Sequence, residues 1–345
     1  PPASRLSPPA SPTMARLERY WYRITLLHAL LFPFSLVFRV AVALRRALYR
    51  AAILPVVSLP VPVVVVGNIS VGGTGKTPLV LWLAGFLRDR GMQPGIVSRG
   101  YGGSSGAPQP VTAASDPAAC GDEAVMLAQR CDVPVWIGAD RAAAAQRLLA
   151  AHPGCNVVVA DDGLQHYRLA RDVEIAVVDG ARGLGNGLLL PAGPLREPET
   201  RLTTVDAVVV NISRSARVGL RTSAPPAFAM SLRTREFYNL LNPEHRAAPE
   251  HFHNRRVHAV AGIGNPQRFF EQLQHLGLTF GASAFPDHHA FSPADLAFDD
   301  ADFVVMTEKD AVKCRLFATE KCWVLRIDAE VDPAFGELVL RKLGK

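Results

Sequence analysis

The sequence predicts an α/β fold in which a parallel β-sheet carries helices on both faces. Three observations support this prediction: short apolar segments recur, segments of helical character separate them, and 49% of the residues are hydrophobic, which is enough for a large core. Strands buried on both faces are apolar throughout, and parallel neighbours need a helical crossover. The predicted strands are residues 61–66, 95–98, 133–137, 157–160, 174–178 and 206–210. The predicted helices are residues 78–90, 121–130 and 141–151.

The N-terminal segment differs in composition from the rest of the chain. Residues 1–13 are rich in proline, serine and alanine, so we predict that they are disordered or are a spurious leader before Met14. Residues 14–50 carry seven arginines and one acid, and this charge equals the net charge of +6 of the whole chain. The remainder is therefore close to neutral, which argues against a nucleic-acid-binding surface.

An apolar segment lies among these arginines. Residues 24–38 are uncharged and mostly apolar, with aromatic residues near both ends. A helix that spans a bilayer needs about 20 apolar residues, so this segment is short for a span. The other alternative is a helix packed on the folded body, which would need few arginines. We predict that residues 14–54 form a membrane anchor that lies on an anionic leaflet.

A glycine-rich loop follows a run of four valines, Val63–Val66, and leads into Gly75, Lys76 and Thr77, where a helix can begin. Backbone N–H groups of such a loop surround phosphates, the lysine reaches the outer phosphates, and the threonine hydroxyl binds their Mg²⁺. A purely structural turn is the alternative, but the preceding strand and the intact Gly-Lys-Thr disfavour it. We therefore predict a P-loop NTPase sheet. The predicted nucleotide-binding residues are Ser70, Val71, Gly72, Gly73, Thr74, Gly75, Lys76 and Thr77.

The predicted body has two parts. Residues 55–220 would form the P-loop domain, and residues 257–345 a smaller C-terminal α/β domain. A polar stretch that contains prolines, residues 221–256, is predicted to be the linker between them. The five cysteines are scattered and form no C-x-x-C pair, which favours a reducing cytosol over a disulfide framework.

Charged residues follow several predicted strands. Asp161 and Asp162 end an apolar strand, where they could meet a phosphate-bound metal at the carboxyl edge of the sheet or could cap a helix. Asp122 and Glu123 start a helix, where acidic residues commonly offset the helix dipole. Residues 286–289 include two adjacent histidines, a weak signal for catalysis or metal binding.

Seven short motifs occur along the chain. They are GNISVGGTGKTP (67–78), SRGY (98–101), GDE (121–123), DDGLQH (161–166), PAGPLREP (191–198), FPDHH (285–289) and TEKDAVK (307–313). In this combination and order they closely resemble the tetraacyldisaccharide 4'-kinase family of lipid A biosynthesis. The phosphate loop alone indicates only an NTPase, whereas the joint occurrence of several unrelated motifs is specific.

The resemblance implies a kinase that uses ATP and Mg²⁺ to phosphorylate the 4'-hydroxyl of a tetraacylated glucosamine disaccharide 1-phosphate. It implies an acylated disaccharide lipid as substrate, the anionic inner leaflet as partner, no nucleic acid, and the cytoplasmic face of the bacterial inner membrane as location. It implies Asp122 and His288 as the catalytic pair, with His289 as the alternative histidine. The implied metal-binding residues are Thr77, Glu123, Asp161, Asp162 and Gln165. The implied substrate-cleft residues are Arg99, Tyr101, Arg141, His166, Arg196 and Glu197.

A different class of protein shares part of the phosphate loop. Membrane-associated regulatory ATPases of the partitioning type resemble residues 72–77, but they carry an additional lysine where Val71 stands. That lysine normally reaches across a dimer to the nucleotide of the partner. Its absence favours the kinase over the regulatory ATPase.

Overall fold

The computed structural model describes residue 21 and residues 26–104, 106–212 and 225–345. The predictions for residues 1–13 and for residues 14–20 and 22–25 of the predicted anchor lie outside this described part. Within it, the chain forms thirteen strands and eight α-helices.

One β-sheet runs through the described residues. Its strands are β1 (Val63–Gly67), β2 (Pro94–Ser98), β3 (Gln109–Val111), β4 (Val135–Ile137), β5 (Val157–Asp161), β6 (Val173–Asp179), β7 (Ala207–Asn211), β8 (Ala227–Asn239), β9 (Arg246–Ala247), β10 (Val257–Ala261), β11 (Phe280–Ala284), β12 (Phe303–Thr307) and β13 (Cys322–Val331). Their spatial order is β11-β10-β12-β13-β8-β7-β6-β1-β5-β2-β4-β3, with β9 beside β8. Most neighbours are parallel, but β3–β4, β8–β9 and β8–β13 are antiparallel. The prediction of a parallel sheet is therefore corrected to a mixed, mostly parallel one.

Strands β8 and β13 form a long antiparallel ribbon that joins the two halves of the sheet. Strand β7 pairs in parallel with residues 227–230 of β8, and β12 pairs in parallel with residues 322–325 of β13. The two strands of the ribbon run in opposite directions, since Trp323 lies opposite Asn239 and Val331 lies opposite Met230. The carboxyl ends of β7 and β12 consequently point towards each other, separated by about seven ribbon residues, or about 20 Å.

The predicted linker contains β8, which is a central strand of this sheet. Every second residue in the first half of β8 is apolar and faces one core, as expected for a strand. These residues are Phe228, Met230 and Leu232. Two prolines directly before it and the charged residues of its second half make the stretch look like a polar connection. Long-range pairing with β7 and β13 outweighs this local polarity.

Helices cover both faces of the sheet. They are α1 (Leu26–Arg50), α2 (Lys76–Asp89), α3 (Pro117–Cys120), α4 (Asp122–Arg130), α5 (Arg141–Ala151), α6 (Pro266–His275), α7 (Glu308–Cys314) and α8 (Pro333–Lys342). On one face, Leu83 of α2, Leu127 of α4 and Phe335 of α8 share a core with strands β1, β5 and β6. On the other face, Leu148 of α5 packs with the alternate residues of the same strands. We call strands β1–β7 with α2–α5 the N-terminal lobe.

The second half of the sheet has its own two cores, and we call strands β10–β12 with α6 and α7 the C-terminal lobe. Phe269 and Phe270 of α6 pack with Phe252 and Trp323 on one face. Cys314 and other residues of α7 pack on the opposite face. Helix α8 leaves this lobe and packs against α2, where Phe335 meets Trp82 with ring centroids 5.7 Å apart.

Helix α1 lies against the N-terminal lobe by one face only. The buried Ser35 donates its hydroxyl to the carbonyl of Leu189 at 2.8 Å and accepts the N–H of Ala192 at 2.9 Å. Arg46 near the other end donates to Thr204 Oγ1 at 2.9 Å. The helix has 25 residues, so it extends well beyond the short apolar segment of the sequence. Residues 28–50 are long and apolar enough to cross a membrane by length and composition.

An ion pair between the lobes yields a prediction about stability. Arg130 of α4 bonds Glu308 of α7 at 2.5 Å and also bonds Asp328 of the ribbon. Arg130→Met leaves Glu308 buried without its cation, so we expect a loss of about 3 kcal/mol of unfolding free energy. Thermal and urea denaturation measure this loss. The control Arg90→Met removes an exposed pair with Glu337 and should change stability by less than about 0.5 kcal/mol. Equal effects of the two changes would contradict the prediction.

Candidate active site

The phosphate loop joins β1 to α2, which begins at Lys76. Gly75 has a φ of 92°, a conformation that side chains disfavour, and a Cβ there would lie 2.7 Å from Nδ2 of Asn211. Asn211 in turn donates this amide to the carbonyl of Thr74 at 3.0 Å. Val71 donates its N–H to Pro194 at 2.9 Å. The loop is therefore held from two sides at the positive end of a helix, where anions bind.

Asp162 is the anion nearest to the loop lysine. Its carboxylate lies 3.6 Å from Nζ of Lys76 and 3.0 Å from Nη1 of Arg196. Although burial favours its protonated form, these two cations lower the pKa of Asp162 to about 2. Asp162 therefore stays charged and orients both cations at the carboxyl edge of the sheet.

Asp161, one residue earlier, has the opposite environment. It ends β5 with an exposed fraction of only 2%, and its Oδ2 lies 3.4 Å from Oγ of Ser98. Its buried Oδ1 has no hydrogen-bond partner among the described residues. Burial, together with the charges of Glu123 and Asp162, raises the pKa of Asp161 to about 7. A buried carboxylate with a free oxygen is a site that a cation would stabilise.

The two lobes meet at Asp122 and His288. Asp122 begins α4 and is 4% exposed, and its Oδ2 lies 3.1 Å from Nδ1 of His288, which belongs to a loop of the C-terminal lobe. The hydrogen bond to Asp122 raises the pKa of His288 against the opposing effect of burial. His289 points elsewhere, since it lies 3.3 Å from Asp295 and stacks on Phe285. Of the two adjacent histidines, the structure therefore brings His288 to Asp122.

Two further predicted residues lie on a loop that contacts this pair. The ring of Tyr101 lies 5.1 Å from the ring of His288, and the tyrosine is otherwise exposed to solvent. Arg99, at the start of the same loop, is also exposed. Both side chains are therefore accessible from solvent.

Arg141 and His166 are less exposed than expected for residues that line an open cleft. Arg141 is buried and donates to the backbone carbonyls of Asp161 and Asp162 at 3.2 and 2.7 Å. Burial and the charge of Arg141 lower the pKa of His166 to about 4. His166 lies 3.4 Å from Asp140, the residue that caps the helix of Arg141. These contacts stabilise the turn that carries the two aspartates.

The resemblance implies that Glu197 lines the cleft, whereas the structure buries this residue. It is 1% exposed, and it accepts hydrogen bonds from Nε2 of Gln165 at 2.8 Å and from the hydroxyl of Tyr167 at 2.5 Å. Gln165 also donates to the carbonyl of Asn68, so only its Oε1 remains for a cation. Glu197 therefore lies beneath the cleft and orients Gln165. The motif alone could not show this, because burial depends on the packing of residues distant in sequence.

Sequence reasoning missed a lysine at the junction of the lobes. Nζ of Lys309 lies 3.1 Å from Asp287, 3.3 Å from Glu123 and 3.4 Å from Nε2 of His288. Its motif, residues 307–313, was recognised, but a sequence motif gives no contacts. In the described part of the chain, no three His, Cys, Asp or Glu side chains converge on one metal position.

Comparisons with known proteins decide the class of enzyme. Residues 27–344 match the family described as LpxK, tetraacyldisaccharide-1-P 4'-kinase. The chain belongs to the tetraacyldisaccharide 4'-kinase family. It is 50% identical over 330 residues to the tetraacyldisaccharide 4'-kinase of Methylobacillus flagellatus, covering 95% of each chain. It is 51% identical over 315 residues to that of Dechloromonas aromatica, covering 91% of this chain and 92% of the relative.

A solved structure of the same family has the same fold. The apo form of LpxK from Aquifex aeolicus, solved in complex with ATP, superposes with a TM-score of 0.81 at 30% identity, covering 92% of this chain and 99% of that one. The function is therefore that of a tetraacyldisaccharide 4'-kinase in lipid A biosynthesis, as the motifs predicted. The alternative of a regulatory ATPase is rejected.

The environment of Asp161 predicts a pH dependence of stability. Because the folded-state pKa is raised from 3.8 to about 7, the folded state holds a proton that the unfolded state releases, and stability falls as pH rises through this window. Asp161→Asn removes the effect. In EDTA, we expect the melting temperature of Asp161→Asn relative to the wild type to rise between about pH 5 and about pH 8. A difference that stays constant with pH would contradict the environment assigned to Asp161.

Proposed function

We propose that this kinase assembles its reaction centre between the two lobes, with ATP on the phosphate loop and the 4'-hydroxyl of the lipid at Asp122 and His288. The observation that carries the proposal is the 3.1 Å contact between Asp122 and His288, which come from opposite lobes. Glu123, the residue after Asp122, acts electrostatically on Asp161. Donor and acceptor sites would therefore share one cleft, which phosphoryl transfer requires because its main demands are positioning and charge.

The phosphate loop and Lys76 would hold the nucleotide. The residues around them fit Mg²⁺, which prefers oxygen ligands and commonly takes one or two carboxylates together with phosphates and waters. Asp161 offers a free buried oxygen, and Thr77, Glu123, Gln165 and Asp162 would complete the surroundings. When bound, the ion would neutralise charge on the transferred phosphate. Lys76 and Arg196, aligned by Asp162, would supply positive charge from the protein.

His288 would take the proton of the acceptor hydroxyl at Nε2. Its Nδ1–H donates to Oδ2 of Asp122, and the carboxylate would stabilise the imidazolium that forms. Arg99 and Tyr101, exposed beside this pair, would contact the polar part of the lipid. The disaccharide would enter from the surface through the gap between the carboxyl ends of β7 and β12.

Helix α1 supports a location at the membrane. The face opposite to Ser35 carries Leu30, Phe34, Val37 and Leu44, which are all exposed and follow one another at helical spacing. Arginines follow in the last turns of the helix and suit anionic headgroups. Because acyl chains remain in the bilayer, the enzyme would act at the cytoplasmic face of the inner membrane with this face of α1 inserted.

The test of the proposal is phosphate transfer. The full chain is incubated with ATP, Mg²⁺ and the tetraacylated disaccharide 1-phosphate in detergent, and mass spectrometry follows the addition of one phosphate at the 4'-position. Lys76→Ala should lower turnover on the order of a hundredfold, because the outer phosphates lose their main protein cation. The control Lys342→Ala removes a surface lysine that pairs with Asp206 and should act like the wild type. Normal turnover by Lys76→Ala at saturating ATP would contradict the proposed nucleotide site.

The exposed face of α1 gives a second prediction. Replacing Leu30, Phe34 and Val37 by glutamine preserves helix propensity but removes apolar surface, so binding to anionic liposomes should weaken by at least about a hundredfold. Flotation measures the binding. The control replaces two exposed leucines of the C-terminal half, Leu241 and Leu316, and should float like the wild type. Undiminished flotation of the α1 variant would rule out this face as the anchor.

A further inference from the structure

The motif at residues 307–313 has no part in the mechanism above, yet its Lys309 is enclosed between the lobes. The side chain is only 15% exposed, and its ammonium faces one acceptor on each of three residues. Asp287 Oδ1 lies at 3.1 Å, Glu123 Oε1 at 3.3 Å and His288 Nε2 at 3.4 Å. An ammonium has three N–H donors and no acceptor, so these three groups match its donors in number.

The backbone that carries Lys309 is fixed to both lobes. Thr307 caps α7 by accepting the N–H of Asp310 at 3.1 Å, and its hydroxyl donates to Oδ2 of Asp310 at 2.7 Å. The same carboxylate oxygen accepts the N–H of Gly262 at 3.0 Å, which ties the helix to β10. Glu308 bonds Arg130 of the N-terminal lobe. The position of Lys309 is therefore set by the fold and not by its own side-chain contacts alone.

The donors around His288 determine which of its nitrogens carries the proton. Lys309 can only donate, so Nε2 must accept from it. The proton of the neutral imidazole then lies on Nδ1, where it donates to Oδ2 of Asp122. The other tautomer would place an N–H against an ammonium and leave a lone pair against a carboxylate, so both contacts would be repulsive. Oδ2 of Asp287, 3.8 Å from Nε2, is too distant to accept a hydrogen bond from that N–H.

We propose that Lys309 is a positioning residue that holds neutral His288 in the Nδ1–H tautomer and opposes protonation of Nε2 before the acceptor hydroxyl arrives. The inference rests on the proposed role of His288 and adds the group that prepares it. The acceptor hydroxyl takes the place of the ammonium at Nε2, and Lys309 remains bonded to Asp287 and Glu123. One side chain thereby links the base of the C-terminal lobe to the acidic pair of the N-terminal lobe.

The charge of Lys309, like its hydrogen bond, disfavours a proton on Nε2 of His288. Asp122 favours the protonated imidazole, whereas burial and the charge of Lys309 oppose it. A base must be neutral before it can accept a proton, so an unopposed Asp122 would reduce the fraction of active enzyme. Asp287, Glu123 and Lys313 are the other charged groups near this contact.

Lys313, one turn later on α7, does not duplicate this arrangement. Its Nζ lies 2.9 Å from Asp310 and 3.9 Å from Asp122, and it sits 5.0 Å from the centre of the Phe291 ring. It contributes positive charge near Asp122. Lys309 is the lysine within hydrogen-bond distance of the imidazole in the described structure.

The test compares Lys309→Met, Lys309→Arg and the control Lys342→Met in the full chain. Lys309→Met keeps the length of the side chain without its donors, whereas Lys309→Arg keeps donors and charge. We expect Lys309→Met to lower kcat at least about tenfold with KM for ATP within about twofold. Lys309→Arg should stay within about threefold of the wild type because the guanidinium also donates N–H groups and carries a positive charge, and the control should do the same. Circular dichroism and ATP binding verify that each variant is folded.

The tautomer is read directly by ¹⁵N NMR of histidine-labelled protein, with His288→Asn used to assign the resonance. At a pH above the pKa of His288, the wild type and Lys309→Arg should show a protonated Nδ1 and a bare Nε2 at His288, and Lys309→Met should show a mixture. A normal kcat in Lys309→Met, or a lowered kcat with an unchanged tautomer, would overturn the inference. Lack of phosphate transfer by the wild type would instead refute the proposed function, so the two failures are distinguishable.

Discussion

The antiparallel pairing of β8 with β13 is the constraint on which the rest of the structure depends. Parallel α/β sheets place their functional loops at the carboxyl ends of the strands, so two such sheets fused side by side would share one edge. Here the antiparallel ribbon reverses the direction of the strands in the second half of the sheet. The ribbon also continues past the end of β7, so β7 and β12 pair with different stretches of it. The two carboxyl edges therefore face each other. This arrangement lets a loop after β11 bring His288 to the start of α4.

Two pairs of adjacent acidic residues lie at this junction, and the members of each pair have different environments. Asp161 and Asp162 are adjacent, yet burial and acidic neighbours raise the pKa of the first, whereas Lys76 and Arg196 lower the pKa of the second. A similar division separates Asp122, paired with His288, from Glu123, which faces Lys309. Asp161 thus keeps an oxygen that could bind a cation, whereas Asp162, Asp122 and Glu123 are already engaged by protein groups. This is the pattern expected where cations and reacting groups must be added to a preformed site.

Local sequence patterns predicted the features that depend on local physics. Buried strands such as β1 and β5, the glycine-dependent loop before Lys76 and helix α5 at residues 141–151 all follow from apolar runs, backbone freedom and local composition. The missed features depend on long-range contacts. Strand β8 is polar in its second half and becomes a central strand only through its two neighbours, and Glu197 is buried by Gln165, Tyr167 and Arg201. The motifs indicated that residues 307–313 matter, but only the fold shows that Lys309 contacts His288.

The central claim is that Asp122 and His288 act as one unit across the two lobes. A double-mutant cycle of Asp122→Asn and His288→Asn on kcat for phosphate transfer tests it most directly, because residues that act together are not additive. The account predicts that the double variant is about as slow as the slower single variant, with nucleotide affinity preserved in all three. If the two losses in kcat simply multiplied, the residues would act independently, and the contact between the lobes would not be the centre of the reaction.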